Sequence, residues 1–161
     1  MAMSPDRSGH LEHGGRSLWW ELFGTGEKPV VCLLNGLAMH TGAWHGFLDE
    51  LRPDHDVLLW DYPGQGRSSC PDEPYLIPEL CAHLAAILDH LRIARIHLVG
   101  VSYGGFIALD FARLYTERLS TLTLSGILLS HERQFEMYQD LSLRFYRSGA
   151  EAFEIYTHYL Y

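Results

Sequence analysis

Cysteine is scarce in this chain: Cys32, Cys70 and Cys81 are three of 161 residues. Their number is odd and no two stand in C-x-x-C spacing, so neither a disulfide framework nor a cysteine zinc site is indicated. Cys32 lies in an apolar run and reads as a small buried side chain. Basic residues are also few, 12 Lys and Arg against 20 Asp and Glu, for a formal net charge of -8. Without a basic cluster to neutralise phosphates, no nucleic-acid partner is expected, and an anionic membrane surface is disfavoured. No stretch approaches the ~20 apolar residues of a membrane span. Residues 1–15 are polar and hold no apolar run of signal-peptide length, which makes a cytoplasmic location the default expectation. The histidines never form H-x-x-x-H or H-E-x-x-H, and His10 and His13 sit in a polar segment that favours solvation. Gly24-x-Gly26 and Gly64-x-Gly66 lack the third glycine of a dinucleotide loop, and no G-K-[ST] occurs. Neither a metal nor a cofactor is expected.

What is present is the pattern of one soluble domain, 47% hydrophobic and 20% charged, long enough to bury a core. Residues 1–16 read as a flexible N-terminal tail. Strand-like and helix-like segments then alternate. Ser17 to Gly24 reads as a strand. Val30 to Leu34 and Asp56 to Trp60 are continuous apolar runs, as expected for strands covered on both faces. Thr41 to Arg52 reads as a short helix with Trp44, Phe47, Leu48 and Leu51 on one face. Ile77 to Leu91 is the clearest helix: Ile77, Leu80, Cys81, Leu84, Leu88 and Leu91 follow helical spacing, while Glu79, His83 and Asp89 fall elsewhere on the wheel. Ile96 to Val99 and Leu119 to Leu129 read as further strands. This alternation implies an α/β fold with a mostly parallel sheet.

Gly100-Val101-Ser102-Tyr103-Gly104 is the most informative stretch. It reads G-x-S-x-G, with a strand-like run before it and a helix-like run from Gly105 to Tyr115 after it. A chance match somewhere in a chain of this length has odds of about one in twenty. The flanking strand and helix make that explanation much weaker. A serine on a sharp strand-to-helix turn is lifted above the sheet, and the glycines remove side chains that would collide in so tight a turn.

Three blocks in order resemble the α/β-hydrolase family, over about Ser17 to Ser130. Leu34-Asn35-Gly36-Leu37, followed by Trp44, is similar to the family's oxyanion-loop block. Asp61 to Ser68 resembles its D-x-x-G-x-G-x-S loop. Gly100 to Gly105 resembles its nucleophile elbow. Two positions depart from the pattern. Asn35-Gly36 stands where the family usually has His-Gly, and Gly64-Gln65-Gly66 stands where Gly-His-Gly is common.

The resemblance implies a doubly wound sheet of the α/β-hydrolase type and a serine hydrolase acting on a small ester, lactone or thioester with an apolar acyl part. Ser102 is then the nucleophile, and the backbone N–H groups of Leu37 and Tyr103 are the oxyanion-hole donors. The family's order of Ser, acid, His leaves only His131 and His158 after Ser102, and neither is placed like the family histidine. Glu132 stands where some members carry the acid, although a solvated glutamate is the simpler reading. Eight strands need about 200 residues or more, so the chain is expected to hold about six and to end in a lid. On this reading residues 17–130 are the N-terminal part of the core, and the aromatic-rich 131–161 begin the lid. A last strand with an open apolar edge invites self-association. Two alternatives stay open: an acyltransferase, since the Asn-Gly block also occurs in 3-hydroxyacyl transferases of surfactant assembly, and a non-catalytic fragment or interaction module.

Overall fold

The computed structural model describes residues 4–128 and 133–158. It divides into two compact units, Met1–Ile127 and Leu128–Tyr161. The first unit is built on a six-stranded sheet: β1 (Arg7–His13), β2 (Arg16–Phe23), β3 (Val30–Leu34), β4 (Asp56–Trp60), β5 (Ile96–Val101) and β6 (Leu119–Ser125). Their order across the sheet is β1-β2-β4-β3-β5-β6. β1 and β2 pair antiparallel, as do β2 and β4, while β3–β4, β3–β5 and β5–β6 are parallel. The sheet is therefore mostly parallel, as the alternation of elements predicts.

Every residue of β3 and β4 is buried, because both faces of the sheet's middle are covered. On one face Leu18, Trp20, Leu22, Cys32, Leu34, Leu58, Trp60, Ile96 and Leu98 pack with α2 (Ile77–Leu91) and α3 (Tyr103–Leu114). On the other, Phe23, Val31, Leu33, Val57 and Leu59 pack around Leu48. Leu48 opens α1 (Leu48–Leu51), a single turn that continues a 3-10 helix over Thr41–Phe47. The short helix predicted there is thus mostly 3-10. Its Phe47 is 59% exposed rather than part of the packed face. At the start of α2, Glu79 Oε2 accepts the Leu76 N–H at 2.8 Å and Pro78 stands in the first turn, which satisfies the orphan donor end.

Most of the expected N-terminal tail is ordered into the sheet. Arg7–His13 forms a seven-residue strand in full register with β2. Its polar residues fit an edge strand, where one face is wet. The same strand explains why His83 is buried although its helical position points away from the apolar stripe: His13 Nδ1 meets His83 Nδ1 at 2.8 Å. β6 ends at Ser125, and Gly126 turns the chain with φ +62. Along β6, Leu119, Leu122 and Leu124 are half-buried while Ser120, Thr121 and Thr123 face solvent, so this edge is polar on one side rather than apolar throughout.

In the second unit α4 (Arg133–Arg147) packs with α5 (Ala150–His158). An Arg144–Asp140 pair spans one turn of α4, and Met137, Leu141, Leu143 and Tyr146 are exposed on it.

The two facing imidazoles make stability depend on pH. Burial first, then the charges of His13 and Arg16, pull His83 down to about 4 from 6.5, against the raising effect of Glu79. The unfolded chain therefore binds more protons than the native one between those values. The penalty is absent above pH 6.5 and grows until pH falls to about 4. Urea unfolding between pH 4 and 7 is expected to show stability falling with acidification, with a smaller slope in His83→Gln.

Candidate active site

β5 carries Ser102 to the end of the sheet beside β3, and α3 begins at the next residue. Ser102 sits at φ +50 and ψ -118, a sparsely populated conformation for a residue with a Cβ, typically costing about 1–3 kcal/mol. Its N–H donates to Ser125 O at 2.9 Å and its carbonyl accepts the Gly105 N–H at 2.8 Å, so backbone bonds on both sides hold the turn. The residue is exposed, and its hydroxyl makes no hydrogen bond among the described residues. The predicted placement at a strand-to-helix turn is therefore what the structure holds.

The glycines around it fit the close approach inferred from the motif. A Cβ on Gly100 would come within 2.6 Å of Gly104 O and 2.7 Å of Ala108 Cβ. A Cβ on Gly104 would come within 2.6 Å of Leu34 O and 2.7 Å of Asn35 O. The first turn of α3 thus lies directly on the end of β3. The loop leaving β3 passes beside the serine, since a Cβ on Gly36 would lie 3.8 Å from Ser102 Cβ. Leu37, next along that loop, is 56% exposed. Leu37 N–H and Tyr103 N–H have no acceptor among the described residues. Tyr103 is the first residue of α3, so its N–H belongs to the positive end of the helix dipole. The Ser102, Leu37 and Tyr103 segments therefore gather at one end of the sheet.

Asn35 is fully buried and holds this loop in place. Trp44 Nε1 donates to Asn35 Oδ1 at 2.8 Å, Asn35 Nδ2 donates to Trp60 O at 3.0 Å, and Tyr62 Oη donates to Asn35 O at 3.0 Å. Burial raises the Tyr62 hydroxyl well above the usual tyrosine range, which keeps it a donor. Asp61, also fully buried, accepts the Thr41 N–H at 2.7 Å and the Arg67 N–H at 2.9 Å. Ser68 Oγ donates to Asp61 O at 2.5 Å and accepts the Trp19 N–H at 2.8 Å. The Asp61–Ser68 block is thus a clamp between β2, β4 and the 3-10 helix. Its aspartate is occupied by backbone donors.

A separate cleft of about 400 Å³ is lined by Glu21, His40, Thr41, Gly42, His45, Asp61, Gly66 and Arg67. None of Ser102, Leu37 or Tyr103 lines it. Its buried Glu21 is already paired, accepting from Trp19 Nε1 at 3.0 Å and meeting His45 Nε2 at 2.7 Å. Among the described residues no group of three or more His, Cys, Asp or Glu could hold a metal ion, and no helix is long and apolar enough to cross a membrane. His131 and Glu132, and the side chain of His158, lie outside the described residues.

The sequence reading missed Gln65, whose side chain reaches both Asn35 and Gly36. The signal for it was present. Asn35 and Gln65 each put an amide where the family pattern carries histidine, and the two amides touch.

The chain belongs to the alpha/beta hydrolase fold family, whose model matches residues 29–152. It is 38% identical over 96 residues to a poly(3-hydroxyalkanoate) depolymerase of Ectopseudomonas oleovorans, covering 60% of this chain and 34% of that protein. It is also 38% identical over 114 residues to the dihydrolipoyllysine-residue acetyltransferase component of the acetoin cleaving system of Pseudomonas putida, covering 70% and 30%. Among solved structures it matches MGS-M2, an alpha/beta hydrolase enzyme from a Medee basin deep-sea metagenome library, with a TM-score of 0.78 at 28% identity, over 83% of this chain and half of that one. Other relatives carry the names of esterases and lactonases. The chain spans about a third of the length of the two curated relatives.

The contact between α3 and β3 sets a sharp expectation for substitution. Gly104→Ala should lower the melting temperature or prevent folding, because backbone carbonyls rather than flexible side chains meet the new methyl. Gly46→Ala meets nothing within 4 Å and has no positive φ, so it should leave stability unchanged or raise it by up to about 1 kcal/mol. Differential scanning fluorimetry on the pair measures the contrast.

Proposed function

We propose that this chain carries the nucleophile and oxyanion hole of a serine hydrolase for small esters, lactones or thioesters with an apolar acyl part. The observation that supports the reading best is the exposed hydroxyl of Ser102 at φ +50, between the Gly36 loop and the N-terminus of α3. Ser102 Oγ attacks the carbonyl carbon and gives its proton to a base. The C=O electron pair moves onto oxygen, where the N–H groups of Leu37 and Tyr103 receive the negative charge. The tetrahedral adduct collapses, and the protonated base returns the proton to the leaving alcohol, thiol or lactone oxygen. Water then repeats the sequence on the acyl-serine. Residues 131–161 are read as the start of a lid.

If this chain is part of a longer protein, Ser102→Ala in that protein is expected to reduce p-nitrophenyl butyrate hydrolysis by about 10⁴-fold or more with an unchanged melting temperature. Undiminished turnover would mean that the nucleophile is elsewhere. A serine-directed phosphonate should add its mass to the peptide that contains Ser102.

The same test applied to a polypeptide limited to residues 1–161 is expected to give little or no turnover, since an unactivated serine is a poor nucleophile. Rapid turnover with labelling at Ser102 would place the base within these residues. An acyltransferase is the second reading, supported by the Asn35-Gly36 block and by the relative named as an acetyltransferase component. Added alcohol or thiol acceptors should divert most of the acyl product from water if that reading holds.

A further inference from the structure

Gln65 lies in the loop after β4, and its side chain reaches the loop after β3. Gln65 Nε2 donates to Gly36 O at 3.2 Å, and Asn35 Nδ2 donates to Gln65 Oε1 at 3.4 Å. The direction of this relay is forced from its two ends. Trp44 Nε1 is a donor only, so it fixes Oδ1 of Asn35 on its side and turns Nδ2 toward Trp60 O and Gln65. At the far end a backbone carbonyl only accepts, so Gln65 must present its NH₂ to Gly36. A glutamine with its amide reversed would set oxygen against oxygen.

The carbonyl of Gly36 and the N–H of Leu37 belong to one planar trans peptide. Whatever holds that carbonyl also aims that N–H, in the opposite direction. Among the described residues Gly36 O otherwise receives only the long 3.4 Å contact from Met39 N–H, so Gln65 is its better donor. A hydrogen bond to the carbonyl also polarises the peptide and strengthens its N–H as a donor.

We infer that Gln65 is a positioning residue, which fixes through Gly36 O the direction and donor strength of the Leu37 N–H in the oxyanion hole. This rests on the serine-hydrolase reading above.

The test uses the full-length protein and compares Gln65→Met and Gln65→Glu, which lack the donor at nearly the same size, with Gln65→His, which restores one. For p-nitrophenyl butyrate, kcat should fall about 10- to 100-fold in the first two, with KM within about twofold. Affinity for phenylboronic acid, whose tetrahedral serine adduct places an oxygen in the hole, should fall by the same factor as kcat/KM. Gln65→His should return both to within about threefold, and the melting temperature of Gln65→Met should stay at the wild-type value. Wild-type kcat in a folded donor-less variant overturns the inference. So does a loss of kcat without a matching loss of boronate affinity, and so does failure of both donor-less variants to fold, since these outcomes describe a structural residue. Ser102→Ala in the same assay separates the two levels: if that variant stays active, the serine reading fails, whereas a dead Ser102→Ala beside fully active Gln65 variants removes only the role of Gln65.

Discussion

The seat of α3 on the end of β3 is the contact on which the rest of this structure depends. At Gly104 the helix approaches the carbonyls of Leu34 and Asn35 so closely that a single methyl would enter their van der Waals radii. That approach lets β5 turn into α3 within one residue, at Ser102, and leaves the serine with a left-handed φ that a looser turn would relax. Strain at one residue persists because the neighbours over-determine it. The Ser125 carbonyl, the Gly105 N–H, the parallel pairing of β5 with β3 and the buried face of α3 all require the same geometry.

Around that contact a second layer of polar groups fixes the loops. Asn35 and Asp61 are fully buried and would be costly if unpaired. Each is instead hydrogen-bonded to groups of neighbouring segments. Asn35 binds the carbonyl of Trp60 and accepts from Trp44. Asp61 binds the amides of Thr41 and Arg67. Two loops that leave adjacent parallel strands are thereby tied to each other and to the 3-10 helix. Buried networks of this kind rigidify when every member is satisfied.

The sheet was legible from the sequence because its middle is covered on both faces. Val30–Leu34 and Asp56–Trp60 are unbroken apolar runs, and the strands that form there have the predicted bounds. The helix Ile77–Leu91 also has its predicted bounds, since its stripe of leucines is unambiguous. The strand-to-helix turn at Ser102 was legible because the glycines around it permit so close an approach. Edges were not legible. Arg7–His13 carries no apolar alternation strong enough to mark a strand, because an edge strand needs only one partner and keeps its polar side chains wet. Missing it meant misplacing His83, whose burial is created by that strand.

Sequence alone thus determined the central strands and α2, their order and the position of the serine, since local periodicity and the steric demands of one tight turn are written in neighbouring residues. It also marked Asn35 and Gln65 as unusual. Only the tertiary structure decided that these two amides touch, that Asp61 serves as a clamp occupied by backbone donors, and that Leu37 and Tyr103 arrive at the same end of the sheet as Ser102. Several of those relations join residues far apart in sequence, 30 positions for Asn35 and Gln65 and 20 for Asp61 and Thr41. No local pattern encodes which side chain will meet which carbonyl. The parallel register of β3 with β4 and β5 does so, by bringing the loops that follow these strands to one end of the sheet.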